Sequence, residues 1–483
     1  MARVLVLGAT GFIGRRLIPG LIAHHHNVRA AVRRTTDNPA LIGTEMVRAD
    51  VFDGQSLAAA MDDIEAVYYL VHSMGEKGRF EDADRRAAEN VASAAKTAGV
   101  KRIIYLGGLG EGRDLSPHLA SRAEVGRTLG ATGVPVTVLR AAIILGHGGA
   151  SYEMLRHLVE RLPVMVTPRW VKTRAQPIAV RDVIAYLIGA LEDERTAGRT
   201  YDIGGPDVLS YLDMMKRFAA VEGKQRLVIG VPVLTPKLSS YWVNLVTPVK
   251  ASIAQPLIEG LRNEVVVKDD SIRDLVPVSP THYEDAVMES LIEALPDRLA
   301  SGKVIGIVPA VANEAFDLAY DAGQPGVAFE ARAVRSSAPP EALWSEVEAI
   351  GGDNGWYYQD WLWTLRGWID GLAGGVGNRR GRSERLAAGD PLDSWVVERI
   401  VPCKDLQLRS GMRMPKLARM GLHVRPWEGG SVLIQWVEFH PNVVTWFYWW
   451  AAYFLHRLVF RGLVREVVRR SENSAGGEAL AHA

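Results

Sequence analysis

The sequence predicts an α/β chain in two parts. A doubly wound parallel sheet with a small second lobe occupies residues 1–300, and an α+β unit occupies residues 326–470. Three observations predict this. The apolar run Val4-Leu5-Val6-Leu7 leads directly into Gly8, Gly11 and Gly14, and Phe12, Ile13, Leu17, Ile18, Leu21 and Ile22 then recur at helical spacing. Such a run is a strand buried on both faces, followed by a glycine turn and an amphipathic helix. Short apolar runs then alternate with helical stretches, the rhythm of a parallel sheet covered on both sides. Finally, eleven of the thirteen tryptophans fall after residue 340, which marks a separate unit with its own core.

Composition narrows the function classes. A chain of 483 residues can hold two to four domains. Its 56 Lys and Arg against 55 Asp and Glu leave no global field to recruit nucleic acid, and none is expected as a partner. The single cysteine, Cys403, forms no internal disulfide and fits a reducing compartment. The chain opens on its first strand without room for a signal peptide, and the apolar run 443–455 is short for a bilayer span. A cytoplasmic protein is expected.

The first turn aims backbone N–H groups and the positive end of a helix dipole at one point, which suits a pyrophosphate. Gly8 permits the tight turn, Gly11 the close approach of phosphates, and Gly14 the packing of helix on strand; Thr10, Phe12 and Ile13 complete the same turn. The spacing is G-x-x-G-x-x-G. A second strand, 28–32, ends in Arg33 and Arg34, where dinucleotide folds that prefer NAD carry an acid for the ribose 2′-hydroxyl. Two guanidiniums there suit a 2′-phosphate, and NADP(H) is favoured over NAD(H); a solvated strand end is the plainer account of the same pair. His24, His25 and His26 cannot share a helix face and read as a solvated helix end, not a metal site. No metal site is expected elsewhere.

A third strand, 46–51, ends in Asp50 and Val51, with Asp50 placed to meet an adenine amino group. A fourth, 66–71, brings Leu70 and then His72, Ser73 and Gly75 to the same edge. A helix over 81–99 leads to a fifth strand, 102–106, closed by Gly107 and Gly108. Another helix over 118–132 leads to a sixth strand, 134–139.

The stretches "VLVLGATGFIG", "VRAAVRR", "RADVFD", "YYLVHSM" and "LRAAIILG" resemble the extended and atypical short-chain dehydrogenase/reductases, nearest the NmrA-like branch, over residues 1–295. The resemblance implies a Rossmann-type fold and NAD(P) binding, with carbonyl reduction, sugar epimerisation or cofactor sensing as the family's activities. Active members carry a serine after the fifth strand and a Tyr-x-x-x-Lys pair on the next helix. Here Gly107 and Gly108 stand at the serine, and His118 and Arg122 at the tyrosine and lysine. Arg122 keeps the charge that would hold ribose hydroxyls but cannot release a proton. His118 titrates near neutral pH and is the candidate general acid, although Arg122 favours its neutral form. Tyr105, Ser121 and His72 are alternatives. Two readings therefore stand: an oxidoreductase on an apolar carbonyl or quinone-like substrate, and a non-catalytic NADPH-binding sensor or scaffold. Epimerisation needs the missing tyrosine.

Residues 151–181 break the sheet rhythm and begin the substrate lobe, where Lys172, Arg174 and Gln176 either line the cleft or face solvent. A helix over 181–191, a strand over 200–203 and a helix over 211–221 follow. The apolar, proline-bearing stretch 232–256, with Tyr241, Trp242 and Leu245, reads as an irregular wall. A linker is expected at 301–325.

In the last part, a strand over 326–336 precedes a helix opened by Pro339 and Pro340, then a helix carrying Trp361, Leu365, Trp368 and Leu372. Strands follow around 393–401, 405–412, 419–425 and 431–439, with a long helix from 442. This order resembles the START-like helix-grip fold, which implies a cavity for a hydrophobic small molecule. "GWYYQDWLWTLRG", "GGVGNRRGR" and "GDPLDSWVVERI" resemble a bacterial domain of unknown function found behind atypical reductases. Core filling in a small domain is the plainer account of the tryptophans. The turn 378–382 is basic, and His423, Glu438 and His440 are a metal set only at a spacing that matches no metal motif. The final helix has an aromatic first half and then Arg457, Arg461, Arg465 and Arg469 four apart. Burial over its own domain explains it, and peripheral membrane contact is the alternative. Residues 471–483 are expected to form a disordered tail.

Overall fold

Strand β1 (Arg3–Leu7) is hydrogen-bonded on both sides, to β2 (Asn27–Val32) and β4 (Ala66–Tyr69), and all three run parallel. Its side chains alternate between two cores. Val4 and Val6 pack with Leu17, Ile18 and Leu21 of α1 (Gly14–Ala23), while Leu5 and Leu7 pack toward α2 (Gly54–Ala60) and α3 (Phe80–Thr97). A strand buried on both faces cannot alternate apolar with polar, which is why it reads as a continuous apolar run. The computed structural model describes all residues except 35, 73–79, 111–114, 163, 225, 232–250, 261, 302, 308, 317–327, 373, 376, 378–380, 413–417, 440–442 and 482–483. The chain divides into two units, Met1–Ser290 and Leu291–Ala483.

In the first unit β3 (Glu45–Arg48), β5 (Arg102–Gly108), α4 (Pro117–Gly130) and β6 (Val136–Ala141) complete the frame. The strand Thr200–Ile203 closes a seven-stranded sheet in the order 200–203, β6, β5, β4, β1, β2, β3, with every pairing parallel. The chain winds outward from β1 in one direction and from β4 in the other, so a crevice opens beyond the carboxyl ends of these two strands. The predicted parallel α/β class is that observed. Differences lie at the ends: β5 continues through Gly107 and Gly108, which belong to the strand instead of closing it. The three-histidine end of α1 is not uniformly solvated. His26 is buried and its Nδ1 accepts from the Ala2 N–H at 3.2 Å.

The second unit is built on an antiparallel sheet in the order 305–307, 328–336, 430–439, 419–427, 405–410, 395–401, 391–392. Val334, Leu406, Leu408, Met420, Leu422 and Leu433 form its apolar inner face against Phe460, Leu463 and Val467 of the final helix, Val443–Ala481. In place of the expected linker, residues 305–307 add a strand and Pro309–Phe316 form a helix. The expected disordered tail is helical as far as Ala481.

The tryptophans divide between core and surface. Trp356, Trp363 and Trp395 are buried, with the first two rings stacked at 4.6 Å. One face of the helix Asp360–Leu372 leaves Trp361 61%, Trp368 70% and Leu372 90% exposed. The basic turn 378–380, the wall 232–250 and His440 lie outside the described residues. His423 is no metal ligand here: its Nδ1 meets Asp405 and its Nε2 accepts from Trp436, while Glu438 stands against Arg419 with its pKa pushed up to about 7 by burial. A cross-strand neighbour thus satisfies each group.

A methyl at Gly14 would lie 2.3 Å from the Gly8 carbonyl oxygen and 2.8 Å from that of Ala9. Backbone cannot yield as a side chain does, so Gly14→Ala is expected to lower the unfolding free energy by about 2 kcal/mol, within the range for overpacking. Gly54 faces open space within α2, and Gly54→Ala is expected to be neutral or slightly stabilising. Urea denaturation of the two variants checks both.

Candidate functional site

The site is built where parallel strands end. Leu7 pairs with Ala31 and Tyr69, Tyr69 with Tyr105, and Gly107 with Arg140. The residues that follow β1, β2, β4, β5 and β6 therefore share one edge of the sheet. At its centre Gly8 has φ +87°, a conformation that favours glycine, and a Cβ there would meet the Leu70 carbonyl oxygen at 2.8 Å. The Leu70 N–H in turn donates to Leu7 O at 3.0 Å, and the Gly11 N–H to Gly8 O at 2.9 Å. No side chain caps α1, whose N-cap is Ile13, so this helix presents an uncapped N-terminus at the turn.

Phe12 points away from that opening. Its ring approaches the Gly146–Gly149 backbone closely and carries the Arg16 guanidinium at 4.5 Å. Arg15 and Arg16 donate to His147 O at 3.2 and 2.6 Å. The side chains of the glycine turn thus clamp a neighbouring loop and leave its backbone to the crevice. Thr10 and Gly11 are exposed there.

Arg33 and Arg34 follow β2 and are both exposed, with no hydrogen bond or ion pair among the described residues. Asp50 accepts from the Phe52 N–H at 3.0 Å, and Asn90 of α3 ties down the Val51 carbonyl oxygen at 3.0 Å. These contacts fix the loop after β3 beside the strand ends.

Around β5 the structure departs from expectation. A side chain at Gly108 or Gly107 would be tight: a Cβ would lie 3.0 Å from Leu119 Cδ2 at the first and 3.3 Å from the Tyr105 ring at the second. Leu119 and Tyr105 thus crowd the positions where the family's serine was looked for. Arg122 donates to the Leu106 carbonyl oxygen and lies over the Tyr105 ring at 5.1 Å. Tyr105 is itself buried and donates to Arg122 O at 3.1 Å. Gln176 belongs to neither alternative proposed for it. It is buried, bridging Gly205 O and the Val267 N–H, whereas Lys172 and Arg174 are exposed.

His118 lies in the first turn of α4, behind the capping Ser116 and Pro117. It lines a cavity of about 80 Å³ with Gly108, Ala141, Ile143, Met154 and Tyr211, at the carboxyl ends of β5 and β6. Its ring lies 5.1 Å from that of His72. The expectation that His118 titrates near neutrality is corrected: burial, then His72 and Arg122, push its pKa down to about 3. His72 is also lowered, chiefly by burial, although the Asp84 carboxylate opposes the shift. Both imidazoles are therefore neutral at physiological pH.

Sequence reasoning missed Asp84. This carboxylate is buried on α3, 3.0 Å from His72 Nδ1 and 3.5 Å from Ser121 Oγ. It holds the proton of His72 on Nδ1 and leaves Nε2 as the acceptor, an atom buried with no hydrogen-bond partner among the described residues. A signal did exist: Asp84 occupies the apolar stripe of α3 that continues through Ala88, Val91 and Ala95. Acids rarely take such positions without a partner.

Known proteins support the cofactor class. Residues 8–158 match the model of an NAD(P)H-binding family, and residues 327–463 match a family described as a protein of unknown function (DUF2867). A mitochondrial NADH dehydrogenase [ubiquinone] 1 alpha subcomplex subunit 9 of Arabidopsis thaliana is 29% identical over 217 residues, 42% of this chain and 54% of that protein. Sterol demethylase protein B of Methylococcus capsulatus is 31% identical over 112 residues, 22% of this chain and 34% of that one. The chain thus spans about half of the first relative and a third of the second. Among solved structures, the triphenylmethane reductase of Citrobacter sp., complexed with NADP(H), is 20% identical with a TM-score of 0.49, covering 60% of this chain and all of that one. An NADPH-dependent quinone oxidoreductase of Escherichia coli is 20% identical with a TM-score of 0.49, covering 59% and 98%. At these scores the structural likenesses carry no argument. No described helix is long and apolar enough to cross a membrane.

The depressed pKa of His118 has a consequence for stability. The unfolded chain takes up this proton below the ordinary value of 6.5, the folded chain only near 3. The stabilisation is therefore complete above about pH 6.5 and is lost as pH falls toward 3. Urea denaturation at pH 7.5 and 5.0 is expected to show a loss that shrinks by up to about 2 kcal/mol in His118→Gln. The match over residues 8–158, on the strand–glycine–helix turn just described, makes the N-terminal part of this chain an NAD(P)H-binding domain.

Proposed function

We propose that the chain is an NADP(H)-dependent oxidoreductase of the atypical short-chain reductase type, acting on an apolar carbonyl or quinone-like substrate. The second unit is read as a helix-grip, START-like module for a hydrophobic small molecule. The observation that carries the enzyme reading is the cavity at the ends of β5 and β6, lined by His118 and continuous in the fold with the glycine turn's edge of the sheet. A curated relative in Streptomyces griseus, 26% identical over 230 residues and covered over 74% of its length, is named as a reductase, which agrees with this class.

The residues fit the dinucleotide. Gly8 and Gly14 let β1 turn and α1 start against the backbone with no Cβ in the way, and the uncapped start of α1 offers N–H groups to a diphosphate. Arg33 and Arg34, exposed and unengaged, suit the 2′-phosphate that distinguishes the phosphorylated coenzyme. Asp50 and Val51 would flank the adenine, and Leu70 and His72 the middle of the molecule. The bound coenzyme would supply hydride from its nicotinamide. His118, being neutral, would act as a hydrogen-bond donor to a carbonyl oxygen and not as an imidazolium acid, so the final proton would come from water. Asp84, through His72, would keep the neighbouring imidazole in one tautomer.

The sensor reading rests on a specific observation as well. Arg122 spends its guanidinium on Leu106 and Tyr105, and a cavity of about 80 Å³ is far smaller than a pocket for a whole drug-sized ligand. Fluorescence titration with NADPH and NADH separates the parts of the proposal. Arg33→Ala/Arg34→Ala is expected to weaken NADPH at least tenfold and NADH less than twofold. Apolar quinones and aldehydes are then expected to oxidise NADPH slowly, and His118→Ala to reduce that rate about 100-fold. Micromolar NADPH affinity without turnover on any of them would establish the sensor instead.

A further inference from the structure

The inner face of the second unit's sheet is apolar along most of its length, yet polar groups interrupt it at one end. Glu330 and Arg332 share that face with Val334 on the strand Ala328–Ser336, and Gln435 stands opposite Arg332 in register. Arg332 is only 2% exposed and Gln435 is fully buried. Arg332 donates from Nη1 to Gln435, and its Nη2 lies 2.6 Å from the Glu330 carboxylate.

A second guanidinium faces the same interior. Arg366 of the helix Asp360–Leu372 lies over the indoles of Trp363 and Trp395 at 6.0 and 5.9 Å. Unlike Arg332 it has no carboxylate partner among the described residues. Phe460 of the final helix joins the two: its ring centre is 5.2 Å from the Arg332 guanidinium and 5.8 Å from the Trp363 ring. His456, 5.7 Å from Phe460, stays neutral because burial and both guanidiniums, Arg366 and Arg332, push its pKa down to about 3.

The charges do not balance. Among the described residues Arg332 faces the Glu330 carboxylate but also the Arg457 and Arg461 guanidiniums, and half-buried Arg366 adds a charge with no carboxylate, so positive charge is in excess at these aromatic walls. Donors are also left over: Arg366 Nε and Trp363 Nε1 are buried with no hydrogen-bond acceptor among the described residues. Buried donors without acceptors and buried charge without a counter-charge both oppose folding, so a structure that keeps them together has a use for an acceptor there.

Resting on the reading of this unit as a module for a hydrophobic small molecule, we propose that this interior binds an amphiphilic anion, its carboxylate or phosphate monoester oxygens held between Arg366 and Arg332 and its apolar body against Trp363, Trp395 and Phe460. A planar guanidinium meets either oxyanion with two parallel N–H donors, and an indole beneath it keeps the fork oriented. The aromatic walls select an apolar body over a free inorganic ion.

Isothermal titration calorimetry of the full-length chain with dodecanoate, dodecyl phosphate and 1-dodecanol at pH 7.5 tests this. At least one of the two anions is expected to bind with one-to-one stoichiometry, at least tenfold tighter than the alcohol. Which anion does so distinguishes a fatty-acid-like ligand from a phosphorylated one. Arg366→Gln is expected to remove the preference for the anion while leaving alcohol binding within twofold, and Arg366→Lys to retain part of it. Equal binding of all three, binding of none, or an unchanged preference in Arg366→Gln would overturn the proposal. Should Arg366→Gln fail to fold, the three-ligand comparison on the unaltered chain decides alone.

Discussion

One backbone contact governs the first unit: α1 begins so close to the end of β1 that the Cα of Gly14 lies against the carbonyl oxygens of Gly8 and Ala9. No side chain fits between them. Because Gly8 turns through a positive φ and is also backed by Leu70 O, the end of β4 is drawn into the same contact. The crevice between the two halves of the sheet therefore opens at a point where backbone is bare. A helix beginning without a side-chain cap then leaves its N–H groups directed outward. The remaining elements hold this geometry in place: Arg15 and Arg16 pin the loop after β6, and Asn90 pins the loop after β3.

The polar groups near the cavity obey a different constraint. Buried side chains must either find partners or lose their charge. His72 has Asp84, whereas His118 has burial and two cationic or ionisable neighbours, and so remains neutral to about pH 3. Arg122 satisfies itself on β5. The same rule organises the second unit. His423 is flanked by Asp405 and Trp436, and Glu438 has Arg419, whereas Arg366 near Phe460 has no carboxylate among the described residues.

Much of the first unit was legible because its signals are local. A both-sides-buried strand must be apolar throughout, a glycine turn must be glycine, and the helices carry their stripe at regular spacing. The strands at 45–48, 66–69, 102–108 and 136–141 accordingly fall where apolar runs stand, displaced by a few residues at their ends. In the second unit the strand order was legible in the same way. The short strand at 305–307 was not, because three residues carry too little pattern to be distinguished from a connection.

The sequence by itself determined the parallel α/β frame, the position of the glycine turn and the pair of guanidiniums after β2. Each of these is a pattern of neighbours along the chain. Tertiary structure decided what depends on neighbours in space. It set the depth at which His118 is buried and hence its protonation, and it turned Arg122 onto Leu106. It placed Asp84 opposite His72, and it left Trp361 and Trp368 on the surface while Trp356 and Trp363 stack in the core. Periodicity tells which residues share a face, but burial and pKa depend on what that face meets, and only the packed chain supplies that.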